Sequence, residues 1–272
     1  MQRIHYLVLG CIVLVAIGLG VGAAGFVSYI QRLPQVSELA TFRPNTTTRI
    51  FAQNGELLAE LYQERRHVIP LSEVPKLLLH AIMAVGDPRF FMHEGLDFMG
   101  IARALLADIR HRAIKQGGST ITQQLARVLF LSSEKTLMRK LREASLAMLI
   151  ERRYTKDEIL WLYLNQIYLG SGSYGVQAAA LTYFGKDAKD LTLPEAALIA
   201  GLPQAPSAYS PLRNPARALR RRNHVLRRMK VEGFLDEARF TEALAMPLQL
   251  NPIQPAGGKA PYFVEQVRQY LE

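Results

Sequence analysis

The sequence predicts a mainly α-helical domain behind one apolar membrane helix, with a short β-hairpin between them. Three observations predict it. Tyr6 to Ile30 is a stretch of 25 residues without a formal charge. From Ser72 to Met229 apolar residues recur at helical spacing between N-cap and breaker signals. Asn54-Gly55, a strong two-residue hairpin cue, lies between two β-prone runs.

Each element has its own local reason. At 1.5 Å per residue the first stretch reaches about 37 Å, enough to cross an apolar bilayer core of about 30 Å with some tilt. It exceeds the roughly 7–15 apolar residues of a cleavable signal, so a retained anchor is expected, with a cleaved signal as the alternative. Residues 1–5 then form a cytoplasmic tail, 6–30 the transmembrane helix and 31–46 a stem with Pro34 and Pro44. Thr47–Phe51 and Leu57–Leu61 form the hairpin, with His67–Ile69 as a third short strand. Helices are expected from Ser72 and Pro75 to Val85, over Phe98–Ile114, from near Ser119, and over Lys135–Arg153. Thr155 to Glu158 is a capping box opening a helix through Gln166. Gly170, Gly172 and Gly175 mark a loop, followed by an Ala-rich helix over Val176–Tyr183. Thr192 and Glu195 form a second capping box, and an Arg-rich helix runs over Pro215–Met229. The domain occupies 47–250. Residues 251–272 read as the start of a linker, because an apolar pattern from Tyr262 begins and stops at Glu272.

Composition narrows the function. An apolar content of 49% argues against disorder, and the single Cys11 excludes a disulfide framework and a cysteine zinc site. The net charge of +10 points to nucleic acid, an anionic membrane surface or a phosphate-bearing substrate. Gly20 to Gly25 reads GxGxxG but follows no strand and lies in the apolar span, so it is no dinucleotide fingerprint. Gly18 and Gly22 suit close packing of membrane helices. Ser132 to Lys135 reads SxxK without its companion motifs, and His93-Glu94 lacks the second His of a zinc protease.

Three segments carry chemistry. Gly86-Asp87-Pro88-Arg89-Phe90-Phe91-Met92-His93-Glu94-Gly95 concentrates Asp, Arg, His and Glu in one loop. Alone it also fits a loop held by structural hydrogen bonds. Gly117-Gly118-Ser119-Thr120-Ile121-Thr122-Gln123-Gln124 places a glycine loop before a helix start, where N–H groups and the helix dipole favour an anion. An ordinary N-cap is the alternative. In Arg139-Lys140-Leu141-Arg142-Glu143 both leading cations lie one helical turn from Glu143, which suits either a solvated face or a clamp for a diphosphate.

Together these segments resemble the glycosyltransferase domain of peptidoglycan polymerases, the family of class A penicillin-binding proteins and monofunctional transglycosylases. GDPRFFMHEG is similar to the family's EDxxFxxHxG, GGSTITQQ to GxSTIxQQ, and RKLRE to RKxxE. Asn165–Gly170, Tyr174–Ala180 and Tyr183–Lys186 resemble the fourth block, and Leu193–Pro211 the fifth. Ala260–Val264 resembles the linker into the second half of a class A enzyme.

The resemblance implies a lysozyme-like α fold with a smaller lobe, near Phe98 to Leu106, dipping into the membrane. It implies polymerisation of lipid II into glycan strands. The acceptor 4-hydroxyl attacks the anomeric carbon of the growing chain, a lipid diphosphate leaves, and a β-1,4 link forms with inversion. The family's general base is the Glu opening the first motif, and Gly86 stands there. Glycine accepts no proton, and loss of a general base costs about 10²–10⁴-fold. Impaired catalysis with retained binding is therefore expected. Asp87 supports the first loop, and Ser119, Thr120, Gln123 and Gln124 line the cleft. Arg127, Lys140 and Arg139 clamp the diphosphate, with Lys115 reaching the donor. Glu143 is the second acidic residue, able to bind Mg2+ or Mn2+ with the diphosphate. No organic cofactor is expected.

The expected location is the bacterial inner membrane, single-pass, with the domain on the periplasmic face. Expected partners are lipid II, the growing glycan chain, membrane lipids and other cell-wall synthesis, division and elongation proteins, but no nucleic acid. The cations of the late helix, Arg213 to Lys230, are expected to face anionic lipid headgroups. Three readings compete with polymerisation: a non-catalytic lipid II-binding scaffold, a lytic enzyme and a nucleic-acid binder. Gly86 favours the first, removes the acid the second needs, and the third lacks a reader motif.

Overall fold

A computed structural model describes residues 48–54, 57–61, 65–102, 118–131, 134 and 136–252, together with residues 18, 20 and 28. The expected anchor (apart from those three helical positions), the stem, residues 103–117 with Lys115, and the linker from 253 lie outside the described residues. Among the described residues no helix is long and apolar enough to cross a membrane.

The domain is mainly helical. Strands β1 (Thr48–Phe51) and β2 (Leu57–Leu61) pair antiparallel about Asn54. Helix α1 (Lys76–Gly86) begins after Pro75, whose ring fixes an N-terminal φ and whose missing N–H costs nothing there. Residues 98–102 are helical. Then come α2 (Ile121–Phe130), α3 (Leu137–Glu151), α4 (Lys156–Gln166), α5 (Val176–Phe184), α6 (Leu193–Gly201), α7 (Pro215–Val231) and α8 (Glu237–Ala245).

Capping sets most of these starts. The Thr155 N–H donates to Glu158 at 2.7 Å, and the Thr192 N–H to Glu195 at 2.7 Å. Thr120 and Gln123 make a further box at the head of α2. Each such cap contributes about 1 kcal/mol.

Two elements depart from the sequence expectation, the first of them through a long-range pairing. The third strand is not His67–Ile69 but β3 (Arg65–Arg66), paired parallel with β4 (Ser173–Tyr174) inside the glycine loop. Residue 69 is instead tied to α4: buried Asn165 accepts the Ile69 N–H and donates back to its carbonyl, both at 3.0 Å. Helix α8, headed by Asp236, is the second departure.

The core lies between α1, α6 and α7, with α4 and α5 behind it. Helix α6 is buried almost throughout, and its run of Ala196, Ala197, Ala200 and Gly201 permits close approach to α1 and α7. The Arg-rich α7 is not simply a lipid-facing surface. Arg222 is 1% exposed, and its guanidinium donates to the Met246 and Leu244 carbonyls at 2.6 and 3.2 Å. It closes the C-terminal end of α8, where cations and donors are favoured.

His80 of α1 stacks on Phe234 at 4.6 Å between ring centres. Burial, then Lys76, holds its pKa below the ordinary 6.5. His224 of α7 is also lowered, by burial and then by Arg221, Arg227 and Arg228. The unfolded chain therefore binds more protons than the fold near pH 6, so stability is full above pH 6.5 and is lost as pH falls below it. Urea unfolding at about pH 7.5 and about pH 5.5 is expected to show this loss, and His80→Gln to reduce it. An unchanged pH dependence in His80→Gln would contradict the assignment.

Candidate active site

A cleft of about 660 Å3 opens where α1 ends. Gly86 is the last residue of α1. A Cβ added there would lie 3.8 Å from Ile121 Cγ1 and 3.9 Å from Gln124 Nε2, which is ordinary contact. The position can hold a side chain directed at this wall without moving the backbone.

Asp87 follows immediately and is buried at 4% exposure. Its carboxylate accepts the Ile121 N–H at 3.1 Å and faces His93 Nε2 at 2.9 Å. It therefore joins the end of α1, the following loop and the positive end of α2. The Thr120 hydroxyl donates to the Gly95 carbonyl at 2.6 Å, a second stitch between the two motifs. Lys156 Nζ donates to the His93 carbonyl at 2.6 Å and sits 4.4 Å from the Phe90 ring centre. Gly95 has φ +88°, and a Cβ there would meet the Ala147 backbone at 2.9 Å, so only glycine fits.

The second motif divides. Ser119, Thr120, Gln124 and Arg127 line the cleft. Gln123, expected beside them, does not: it is 3% exposed and its carbonyl accepts the Thr120 N–H at 3.0 Å. Its amide closes a cap rather than facing a ligand. Gln124 accepts a hydrogen bond from the Tyr163 hydroxyl at 3.1 Å through Oε1, so its NH2 group faces residue 86. Burial pushes the Tyr163 phenol well above its ordinary value, so it remains a donor. Arg127 forms no ion pair among the described residues.

The third motif is coupled to the second. Glu143 is 1% exposed and holds Arg139 Nη1 at 2.7 Å through one oxygen and Lys140 Nζ through the other. Lys140 Nζ also donates to Ser119 Oγ at 2.7 Å. The acid thus holds two cations, one of which, Lys140, reaches the glycine loop. It does not fit a divalent cation, because both its oxygens are engaged. Among the described residues no group of three His, Cys, Asp or Glu side chains converges on a metal position.

Some of the cleft wall comes from residues with no role expected from sequence, or, for Arg221 and Arg228, with a lipid-facing one. Tyr163, Gln204, Arg221, His224 and Arg228 also line it. Arg221, His224 and Arg228 are spaced by three and four residues, the spacing of one helix face. That signal was present but hidden in a run of arginines. The exposed Phe98 (71%) and Met99 (69%) belong to the turn that meets Gly118, since a Cβ on Gly118 would touch Ile101 Cγ1 at 3.5 Å.

Asp87→Ala would leave the Ile121 N–H and His93 without their acceptor and is expected to cost about 3 kcal/mol in unfolding free energy. Glu143→Gln is expected to cost about 1–3 kcal/mol, less than a fully buried pair, because Lys140 is 42% exposed. Denaturant titration of both variants measures these losses, and wild-type midpoints in both would contradict the assigned contacts.

Known proteins resemble this chain. The transglycosylase family matches residues 54–230. Penicillin-binding protein 1A of Vibrio cholerae is 45% identical over 269 residues, covering 95% of this chain and 32% of the relative. Penicillin-binding protein 1A of Escherichia coli is 44% identical over 273 residues, covering 100% of this chain and 32% of the relative. The crystal structure of penicillin-binding protein 1A from Haemophilus influenzae aligns with a TM-score of 0.50 at 30% identity, over 85% of this chain and 24% of that one. The chain spans about a third of the length of these curated relatives. The matched segment holds all three motifs, the cleft and the lysozyme-like helical frame, and on that ground the chain belongs to the transglycosylase family, with class A penicillin-binding proteins among its relatives.

Proposed function

We propose that this chain binds lipid II and the growing glycan strand in the cleft, as the polymerising domain of a peptidoglycan transglycosylase, and that its own turnover is impaired. The acceptor 4-hydroxyl would attack the anomeric carbon of the strand, forming a β-1,4 link with inversion as the lipid diphosphate leaves. Ser119, Arg127, Lys140 and Arg139 supply donors and positive charge for the departing diphosphate. No step is assigned to a metal ion.

One observation carries the impairment. The carboxylates that line the cleft among the described residues are Asp87 and Asp97, and both are engaged. Asp87 is held by His93 and Ile121, and Asp97 by Arg89 and the Gly100 N–H. Glu94 lines a separate cavity with Met92 and Arg152 and does not line the cleft. Among the described residues no free carboxylate is left beside Gly86 to take the acceptor proton.

The apolar turn at Phe98 and Met99 supports a membrane-facing edge next to Ser119, where a lipid tail would leave the cleft. With residues 6–30 as an anchor, the domain would sit on the outer face of the bacterial inner membrane. Cell-wall synthesis, division and elongation proteins would be its neighbours. A non-catalytic scaffold of the same fold is the second reading, and Gly86 favours it.

Lipid II polymerisation in vesicles is expected to rise by about 10²–10⁴-fold in Gly86→Glu. Equal and rapid polymerisation by both chains would overturn the impairment. Tight lipid II binding with no turnover even in Gly86→Glu would select the scaffold.

A further inference from the structure

The late helix contributes more to the cleft than bulk charge. Arg221, His224 and Arg228 of α7 all line it. Each arginine is fixed by one edge to the end of a neighbouring helix. Arg221 Nε donates to the Gly201 carbonyl at 2.9 Å, and Arg228 Nε to the Ala84 carbonyl at 3.3 Å. A Cβ on Gly201 would lie 2.8 Å from Arg221 Cγ, so the missing side chain lets the arginine stem cross the end of α6. Helix capping accounts for these two bonds, yet each guanidinium carries five donors. Arg228 commits one more to Glu232, and Arg221 stacks over Tyr209. His224 lies among these cations with no hydrogen-bond partner among the described residues. The residue is exposed at the cleft, so its imidazole is open to a ligand.

The cleft has a direction. The exposed Phe98 and Met99 mark the side of Gly118 and Ser119, where Lys140 reaches in from α3. Helix α7 packs on α1 and α6 instead, on the other wall, with Gln204 beside it. A lipid-linked saccharide is built in fixed order: lipid, diphosphate, sugar, acidic peptide. With its lipid at the apolar turn and its diphosphate at Ser119, the sugar and its peptide extend toward α7.

We propose that Arg221, His224 and Arg228 form a carboxylate-binding wall that receives the peptide-bearing sugar portion of the substrate, separate from the diphosphate clamp. This rests on the reading of the cleft as a lipid-linked saccharide site. The unfilled guanidinium donors match carboxylate oxygens, and His224 adds a donor between them.

The test uses the full chain and three soluble probes: a disaccharide-peptide without lipid or phosphate, the same fragment with its carboxylates amidated, and inorganic diphosphate. Calorimetry reads the affinities. The free-acid fragment is expected to bind the wild-type chain about tenfold more tightly than the amidated one. His224→Gln with Arg221→Lys, which keeps the charge that crosses Gly201 but removes the fork, is expected to weaken the fragment about tenfold. Diphosphate affinity should stay within about twofold, while Lys140→Gln should show the reverse pattern. Thermal melts identify any variant that fails to fold, and His224→Gln alone, expected to weaken the fragment about threefold, then replaces the pair. Equal binding of free and amidated fragments would overturn the proposal, as would loss of diphosphate binding in the α7 variant. If diphosphate and lipid II bind but the fragment does not, the wall alone fails. If none of them binds, the reading of the cleft fails with it.

Discussion

The buried carboxylate of Asp87 is the contact on which the cleft depends. It lies one residue beyond the end of α1 and accepts the first N–H of α2, 34 positions later in the chain. A negative charge at a helix N-terminus is favourable, and burial strengthens the bond by removing competing water. His93 Nε2 on the same carboxylate pulls the intervening loop against the pair. Thr120 to Gly95 and Lys156 to His93 then hold the loop from two further sides. The consequence is geometric. With α1 and α2 locked end to start, residue 86 must face Gln124, and Ser119 must open toward Lys140.

The charge distribution follows from that frame. Arg127 from α2 and Arg221 and Arg228 from α7 line the cleft, and Lys140 reaches its Ser119 from α3. Such convergence is unfavourable by itself, because like charges repel in a partly desolvated cavity. The fold offsets it locally. Glu143 lies beneath Arg139 and Lys140, Glu232 beside Arg228, and helix-end carbonyls face Arg221 and Arg228. Arg127 has no such counter-charge among the described residues. A multivalent anion in the cleft would relieve what remains, so the charge arrangement favours such a ligand at some cost in stability.

The sequence made much of this legible where information is local. Asn54-Gly55 announced the hairpin, and Thr155 with Glu158 and Thr192 with Glu195 announced two helix starts. The motif residues were readable because each lies in a short segment of dense polar chemistry. What escaped is long-range. The pairing of Arg65–Arg66 with Ser173–Tyr174 involves two-residue strands, too short to carry a periodic signal. Arg222 looked like one of three equivalent arginines, and only the carbonyls at the end of α8 distinguish it. Gln123 and Gln124 are adjacent and chemically identical. The cap at Thr120 takes one and leaves the other for the cleft, a division fixed by helix phase once Thr120 is the N-cap.

Gly86 can be weighed against Gly95 in the same loop. Gly95 has positive φ and a backbone neighbour where a Cβ would stand, so its glycine answers a demand of the fold. Gly86 answers none. It lies in ordinary helix, and a side chain there would meet only normal contacts. The surroundings are nevertheless arranged for one. Tyr163 fixes the amide of Gln124 so that a donor points at the vacant place, and the helix end brings it to the cleft wall. The Gln124 donor and the cations do not depend on a side chain at residue 86, because each is held by its own partner: Gln124 by Tyr163, Lys140 by Glu143, and Arg228 by Ala84 and Glu232. The contacts that hold these donors and cations are therefore independent of the side chain at residue 86.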